Sequence, residues 1–403
     1  MDKMKIWKIR GLFNVKKFYF AESYIFLFLF VSVFAIFIAN DKPLIRICDG
    51  SISFPFLSKS LTKEKSPPEN DCFIMHTFIP YSPDKSDYLN TDFAGPFDQQ
   101  WSVDGNGQIS EIPLRSRHWL GTNMRGNDLA AQMVYGTRIS LMVSLLSTVL
   151  SFLIGGLLGF AAGWYGPGKN RIKVYWMMAG GLLLFLFYFF NMNLLTQNDS
   201  IIGNSILIGL LIIFIVFAAK IRSTNFYKYA LFFSADNVIQ RFSEIFSAIP
   251  RIILILALVS LMQPSFTTVV FILSITGWVD ITRLLRSEIQ RIKHEGFIEA
   301  AKVSGIGGLR IFIGQMLPNI WPSMLVILLY TFAGNIAAEA SLSFLGVGLP
   351  ADVVSLGSLV ASGKVYFEAW WLVVFPGVWI SGFIFSLFSL SRKLRNKYEI
   401  SNS

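Results

Sequence analysis

Two cysteines, three histidines and a charged fraction of 15% in 403 residues leave little material for the common soluble chemistries. The histidines stand at 76, 118 and 294, too scattered to join Cys48 or Cys72 in a metal-binding spacing. No Ser/His/Asp set, HExxH motif or catalytic carboxylate pair stands at the ends of the apolar runs. No catalytic residue and no metal ligand is therefore assigned, and the chain is expected not to be an enzyme. The nearest approach to a nucleotide site is Gly163-Trp-Tyr-Gly-Pro-Gly168-Lys169-Asn170. Its last position is Asn170, where a P-loop needs Ser or Thr to hold magnesium, and no soluble strand precedes it. It reads as a polar turn ending an apolar span.

What the chain has in quantity is apolar surface. Its hydrophobic fraction is 53%, Phe alone supplies 38 residues, and the mean hydropathy is +0.54, outside the range of ordinary soluble domains. A bilayer core needs about 20 mostly apolar residues per helix. Spans are expected at 20–39, 138–162, 174–194, 201–219, 251–262 with its flanks, 267–285, 320–342 and 370–390, about eight in all. The fifth is short unless the preceding FSAIP turn (246–250) is embedded. The first has the basic-then-apolar order of a signal peptide, but its run continues to Ala39 without a small-x-small site, so it reads as an anchor helix.

The net charge of +10 could suit nucleic acid, but its placement argues otherwise. Basic residues fill every second loop: Lys3 to Lys17, Lys169 to Lys173, Lys220 to Lys228, Arg283 to Arg310 and Arg392 to Lys397. The alternate loops 195–200 and 263–266 have none, and 349–369 has only Lys364. By the positive-inside rule both termini are cytoplasmic and the charge is a topology signal. The Pro-, Asp-, Ser- and Gly-rich segment 41–120 then lies outside, and a loop that long is expected to be partly folded. Cys48 and Cys72 share this oxidising face and are a candidate disulfide, two free thiols being the alternative.

Within the spans, Gly155, Gly159 and Gly163 recur every four residues and give one helix a flat ridge for close packing. Glu339, in AAEASLSFLG, and Asp280, near the inner end of its span with Arg283, are candidate intramembrane polar sites. A structural pairing role serves them as well as a substrate contact.

Between two apolar runs stands EAAKVSGIGGLRIFIGQMLPN, residues 299–319. An amphipathic run Glu288–Ile298 precedes it, glycines 305, 307 and 308 break the helix, and Leu309, Ile311 and Phe312 open another. Pro318 is expected near the start of the next span, where a missing N–H costs little. The shape is helix, sharp turn, helix at the cytoplasmic surface, suited to a partner's groove.

Glu299-Ala300-Ala301, Gly305 and Leu317-Pro318-Asn319 together resemble the EAA loop of ABC-importer permeases, with Gln315 and Met316 departing from the usual residues. His118-Trp-Leu-Gly-Thr122, Gly126-Asn-Asp128, Tyr135-Gly-Thr-Arg-Ile-Ser140, Glu339 to Gly346 and Phe375-Pro-Gly377 are similar to dipeptide/oligopeptide C-type permeases. Asn123 and Asn127 stand where that family's GTDxxGRD pattern has Asp and Arg. Residues 39–44, Asp49-Gly50, Phe54-Pro-Phe56, Gly348-Leu-Pro350 and Ser355-Leu-Gly357 further resemble the Yej-type (microcin C/oligopeptide) permease.

The resemblance implies an all-α integral membrane protein: a type I ABC-importer permease bundle in the bacterial inner membrane, multi-pass, with a two-span insertion at 172–232. It divides the chain into a tail and anchor (1–40), an extracytoplasmic segment (41–120) and a permease domain (121–403) with its coupling loop at 295–319. It implies half of a heterodimeric pathway for oligopeptides or peptide-like compounds. The expected partners are a second permease, two ABC ATPase domains carrying ATP and Mg, an extracytoplasmic substrate-binding protein, peptide and membrane lipid, but no nucleic acid. Glu299, Ala300, Ala301, Gly305, Leu317 and Pro318 are the expected ATPase-coupling residues, and no cofactor belongs to this chain. A self-sufficient secondary transporter would need a clear inverted repeat and ion site. A membrane scaffold is the other alternative, against which the intact loop argues.

Overall fold

The computed structural model describes residues 20–48, 51–55, 72–103, 107–166, 235–364 and 366–402. The basic tail, residues 167–170 of the P-loop-like turn and the two insertion spans lie outside them. In chain order the elements are α1 Phe20–Val33, α2 Ala35–Ile38, β1 Ile45–Cys48, β2 Ser51–Ser53, β3 Cys72–Met75, β4 Trp101–Val103, β5 Ile109–Glu111 and α3 Leu129–Tyr165. There follow α4 Ala235–Ala248, α5 Arg251–Ser260, α6 Phe266–Ile292, α7 Gly296–Val303, α8 Gly308–Ile311, a π turn Phe312–Met316, α9 Leu317–Phe344, α10 Leu356–Gly363 and α11 Trp371–Asn402.

Among the described residues four helices are long and apolar enough to cross a bilayer: Leu129–Tyr165, Phe266–Ile292, Gly308–Phe344 and Trp371–Lys397. All four outgrow the expected spans because polar turns continue as helix beyond the hydrocarbon-length run. The expected fifth span, 251–262, is the second half of a broken pair, α4 and α5, which together pass the same test. Its break falls at Ile249-Pro250, since proline cannot supply the interior N–H and clashes with the preceding turn. The first expected span is an apolar helix, Phe20–Val33, followed by the short α2.

Two compact units make up the chain. The first holds Met1–Gly155, Ile249–Ile281 and Asn319–Ser403. Its core gathers Phe28, Leu129, Ala333, Ile336, Leu356, Leu372 and Phe383, all nearly or wholly buried, with Phe28 stacked on Phe383 at 3.8 Å. Gly155 lies close against α6 here: a Cβ would come 2.6 Å from the Trp278 carbonyl. Two small antiparallel sheets, β2-β1-β3 and β4-β5, also belong to this unit. In the first sheet Cys48 and Cys72 are direct cross-strand partners. Opposed residues in an antiparallel pair have Cα atoms about 4.5–5.5 Å apart, inside the range a disulfide spans. Alkylation of the unreduced protein under denaturing conditions is expected to leave both thiols unmodified. Two labelled thiols would rule the bond out.

The second unit holds Gly156–Ala248 and Thr282–Pro318. The small-residue ridge of α3 continues in it against α6, where a Cβ on Gly159 would meet Leu285 Cβ at 2.9 Å and one on Gly163 would meet Ile289 Cβ at 2.7 Å. Both approaches are closer than carbon atoms tolerate. Arg286 of α6 clamps the buried Asp236 of α4 with two hydrogen bonds, the Nη2 to Oδ2 one at 2.7 Å. Gly159→Leu is expected to destabilise the protein by at least about 1–3 kcal/mol, the usual cost of overpacking. It should lower the detergent melting temperature, whereas Leu157→Ala, at a position 71% exposed, should not.

Candidate functional site

The EAA stretch forms a surface in the second unit whose geometry follows from its residue spacing. Ile298 and Ala301, three apart on α7, are buried, while Phe297, Glu299, Ala300 and Val303 are exposed. The helix ends in a Schellman turn: the Ile306 N–H donates to the Ala301 carbonyl at 3.2 Å and the Gly305 N–H to that of Lys302 at 3.0 Å. Gly305 sits at the left-handed position, φ +75°. No atom lies within 4 Å of where its Cβ would stand. Its requirement is thus the backbone angle and not the space a side chain would occupy. α8 then leaves Leu309 exposed and buries Ile311, and Ile313 of the π turn is exposed.

One expectation for this stretch needs correction. The amphipathic run from Glu288 does not continue to Ile298: α6 stops at Ile292, and a turn at 293–295 re-aims the chain into α7. Pro318 stands in the first turn of α9, Leu317–Phe344, while the helical path runs on into it from Gly308. What accommodates the proline is the π turn before it, in which the Leu317 N–H donates to the Phe312 carbonyl five residues back. The wider turn relieves the collision a proline ring makes with the carbonyl of the preceding turn. Leu317 is half-buried and Pro318 exposed.

Trp164, at the end of α3, seats this surface, a role that sequence reasoning missed. Gly308 packs directly on its indole, so close that a Cβ there would lie 2.6 Å from Cζ2. Lys302 Nζ stands 5.9 Å from the ring centroid as a cation–π partner, and Lys293 Nζ donates to the Trp164 carbonyl. Phe160, one turn earlier, meets Phe312 with ring centroids 4.4 Å apart. The sequence shows Trp164 only as a tryptophan beside a polar turn, since its partners are more than a hundred residues away.

The first unit holds three polar centres. Glu339 on α9 is wholly buried; Ser343 Oγ donates to its Oε1 at 2.9 Å, while its Oε2 has no hydrogen bond. Ser140 of α3 faces the same place and accepts the Leu356 N–H, and Ser355 caps α10. Glu339 thus stands where α3, α9 and α10 converge. Asp280, the other candidate, is exposed on α6, and no contact joins it to Glu339 among the described residues. The second centre is Arg251, whose Nη2 donates to Asn335 Oδ1 at 2.6 Å. At the head of the expected fifth span this arginine looks like an ordinary flanking charge, because the helix preceding it is not visible in hydropathy.

The third centre lies between the sheets and α3. His118 is fully buried, with Nδ1 2.9 Å from Asp128 Oδ1 and Nε2 3.3 Å from Asp87 Oδ2, and the Tyr81 ring stacked on it at 4.2 Å. Burial alone would lower the imidazole's pKa, but the two carboxylates outweigh it and hold it above the ordinary value. Burial likewise works to raise Asp87, and hydrogen bonds from His118, Asn90 and the Leu89 N–H overcome it and leave the carboxyl lowered. Asp128 Oδ2 also accepts the Ala131 N–H at 2.7 Å, capping α3. Asn123 and Asn127, which depart from the C-type pattern, fold the adjacent turn: Asn123 Oδ1 accepts the Arg125 and Asn127 N–H groups.

Residues 229–399 match the model described as "Binding-protein-dependent transport system inner membrane component". The chain is 27% identical over 378 residues to the inner membrane ABC transporter permease protein YejE of Escherichia coli, covering 87% of this chain and 83% of that one. It is 26% identical over 375 residues to the peptidoglycan transport system permease protein YejE of Agrobacterium fabrum, covering 87% and 81%. It is 26% identical over 290 residues to the dipeptide transport system permease protein DppC of Bacillus subtilis, covering 71% and 70%.

Proposed function

We propose that this multi-pass inner-membrane chain is the permease subunit of an ATP-driven importer of peptides, a reading supported by the match of residues 229–399 to the binding-protein-dependent transport system inner membrane component. Relatives named for dipeptide and for peptidoglycan transport support peptide-containing substrates as the class. The chain pairs with a second permease to form the pathway. A substrate-binding protein delivers cargo from outside, and two ABC ATPase domains, holding ATP and Mg, work inside. The alternation of basic and non-basic loops supports cytoplasmic termini and a cytoplasmic EAA segment.

The observation that carries this reading is the surface built by α7, Gly305 and α8. It presents exposed Phe297, Val303, Leu309 and Ile313 beside Glu299 on a short, firmly seated helical turn. An exposed apolar set on a compact projection suits a groove in a partner. Coupling follows if the ATPase pair grips this projection differently in its two nucleotide states, since equal affinity would shift nothing. Extraction of the tagged protein in mild detergent, followed by mass spectrometry, is expected to recover a second permease and two ATPase copies. A stable, solitary protein would overturn the assignment.

A further inference from the structure

Arg251 is a cation in the interior of a membrane bundle, and every group that holds it is neutral. Its Nη2 donates to Asn335 Oδ1 at 2.6 Å and its Nε reaches Thr276 Oγ1 at 3.4 Å. Asn335, fully buried, passes the contact on by donating from Nδ2 to Thr148 Oγ1 at 3.0 Å. Three helices, α5, α6 and α9, thus meet at the guanidinium, and α3 joins them through Asn335. No carboxylate lies within ion-pair distance of it among the described residues; Asp280, one turn beyond Thr276, is in electrostatic reach but exposed. The remaining nitrogen, Nη1, has no hydrogen bond among the described residues and is not a buried unpaired atom. Gly334 lies on that side, where a Cβ would stand 3.5 Å from Nη1.

The depth of this centre can be read from the helices. Thr276 lies ten residues inside α6 from Phe266, and Asn335 nine residues before Phe344 at the end of α9. At 1.5 Å per residue both are about 14–15 Å from the same face, half of a hydrocarbon core about 30 Å thick. Lipid phosphates do not reach that level. An unneutralised cation at mid-depth is costly, and such residues face pathways or partners of opposite charge. Arg251 also opens α5 directly after the Pro250 break, and broken helices at the midplane are where transporters place the charged end of a substrate.

We propose that Arg251, oriented by Asn335 and Thr276, receives the C-terminal carboxylate of the peptide as it passes through the bundle. The guanidinium fork suits a carboxylate, and Asn335 fixes one edge of it so that Nη1 faces the ligand. This inference rests on the peptide-importer reading above. It concerns binding only, with no bond made or broken.

The test uses the full transporter in proteoliposomes with its binding protein, offered trialanine as free acid or as C-terminal amide. Arg251→Gln is expected to reduce uptake of the free acid about tenfold or more, the scale of one lost charged hydrogen-bond pair, and to change amide uptake less than about twofold. Arg251→Lys should restore part of the free-acid uptake. Because the binding protein is the same throughout, its own preferences cancel in the ratio of variant to wild type. Equal losses for acid and amide in an intact complex, or no loss for either, would overturn the proposal. Loss of the second permease from the Arg251→Gln complex would overturn it too, by giving the carboxylate to that subunit. If wild type moves neither peptide, the peptide reading itself has failed and this one with it.

Discussion

Gly305→Asp is expected to abolish ATP-driven uptake while the protein still inserts and folds. Gly305 occupies the left-handed position of the Schellman turn that separates α7 from α8, with φ +75°. A residue with a side chain pays about 1–2 kcal/mol there, and Asn and Asp pay least. No steric term is added, because nothing lies within 4 Å of the Cβ position. The backbone cost is therefore nearly the same for Gly305→Asn and Gly305→Asp. What distinguishes them is a negative charge set among exposed Phe297, Val303 and Leu309, on the surface proposed to meet the ATPases. Burying an unpaired carboxylate against a partner costs several kcal/mol. Gly305→Asn should retain a large part of the uptake, and Gly305→Asp should lose both uptake and co-purifying ATPase at unchanged membrane abundance. Normal uptake by the Asp variant would remove the coupling role of this turn.

His118→Leu is expected to destabilise the protein by about 3–5 kcal/mol, the usual cost of removing one partner from a buried ion pair. Asp128 would be left with 2% of its side chain exposed and its charge uncompensated, and the stacking of Tyr81 would be lost. The native centre also predicts a pH dependence. His118 has its pKa raised above the ordinary 6.5, so its contribution is complete below that pH and is lost as pH rises through the raised value. Asp87 has its pKa lowered below the ordinary 3.8, so its contribution is complete above that pH and is lost as pH falls through the lowered value. Thermal unfolding in detergent should therefore show the largest gap between wild type and His118→Leu between about pH 4 and 6.5, narrowing above. A gap that widens steadily toward alkaline pH would show that the imidazolium is not what the two carboxylates hold.

The spans were largely legible because hydrocarbon demands about 20 apolar residues in a row, and runs such as 138–162 and 370–390 satisfy this locally. The turn at Gly305 was legible for a related reason. Glu299, Gly305 and Leu317-Pro318 lie within one short stretch, and a left-handed helix stop selects glycine whatever surrounds it. The fifth span was legible only in half, since α4 is amphipathic and its buried Asp236 is neutralised by Arg286, fifty residues on. Pro318 was legible as a first-turn proline of α9, whereas the π turn at 312–316 that joins α8 to α9 was not.

The sequence by itself determined that the chain is a membrane bundle with a helix–turn–helix projection, because hydrophobic length and glycine stereochemistry act over neighbouring residues. Only the tertiary structure decided which side chains meet. It seats Gly308 on Trp164, closes His118 between Asp87 and Asp128, and brings Arg251 to Asn335 across 84 residues. Those pairings depend on which helix faces pack together, and close packing at Gly155, Gly159 and Gly163 sets that register through contacts with α6 that hydropathy does not encode.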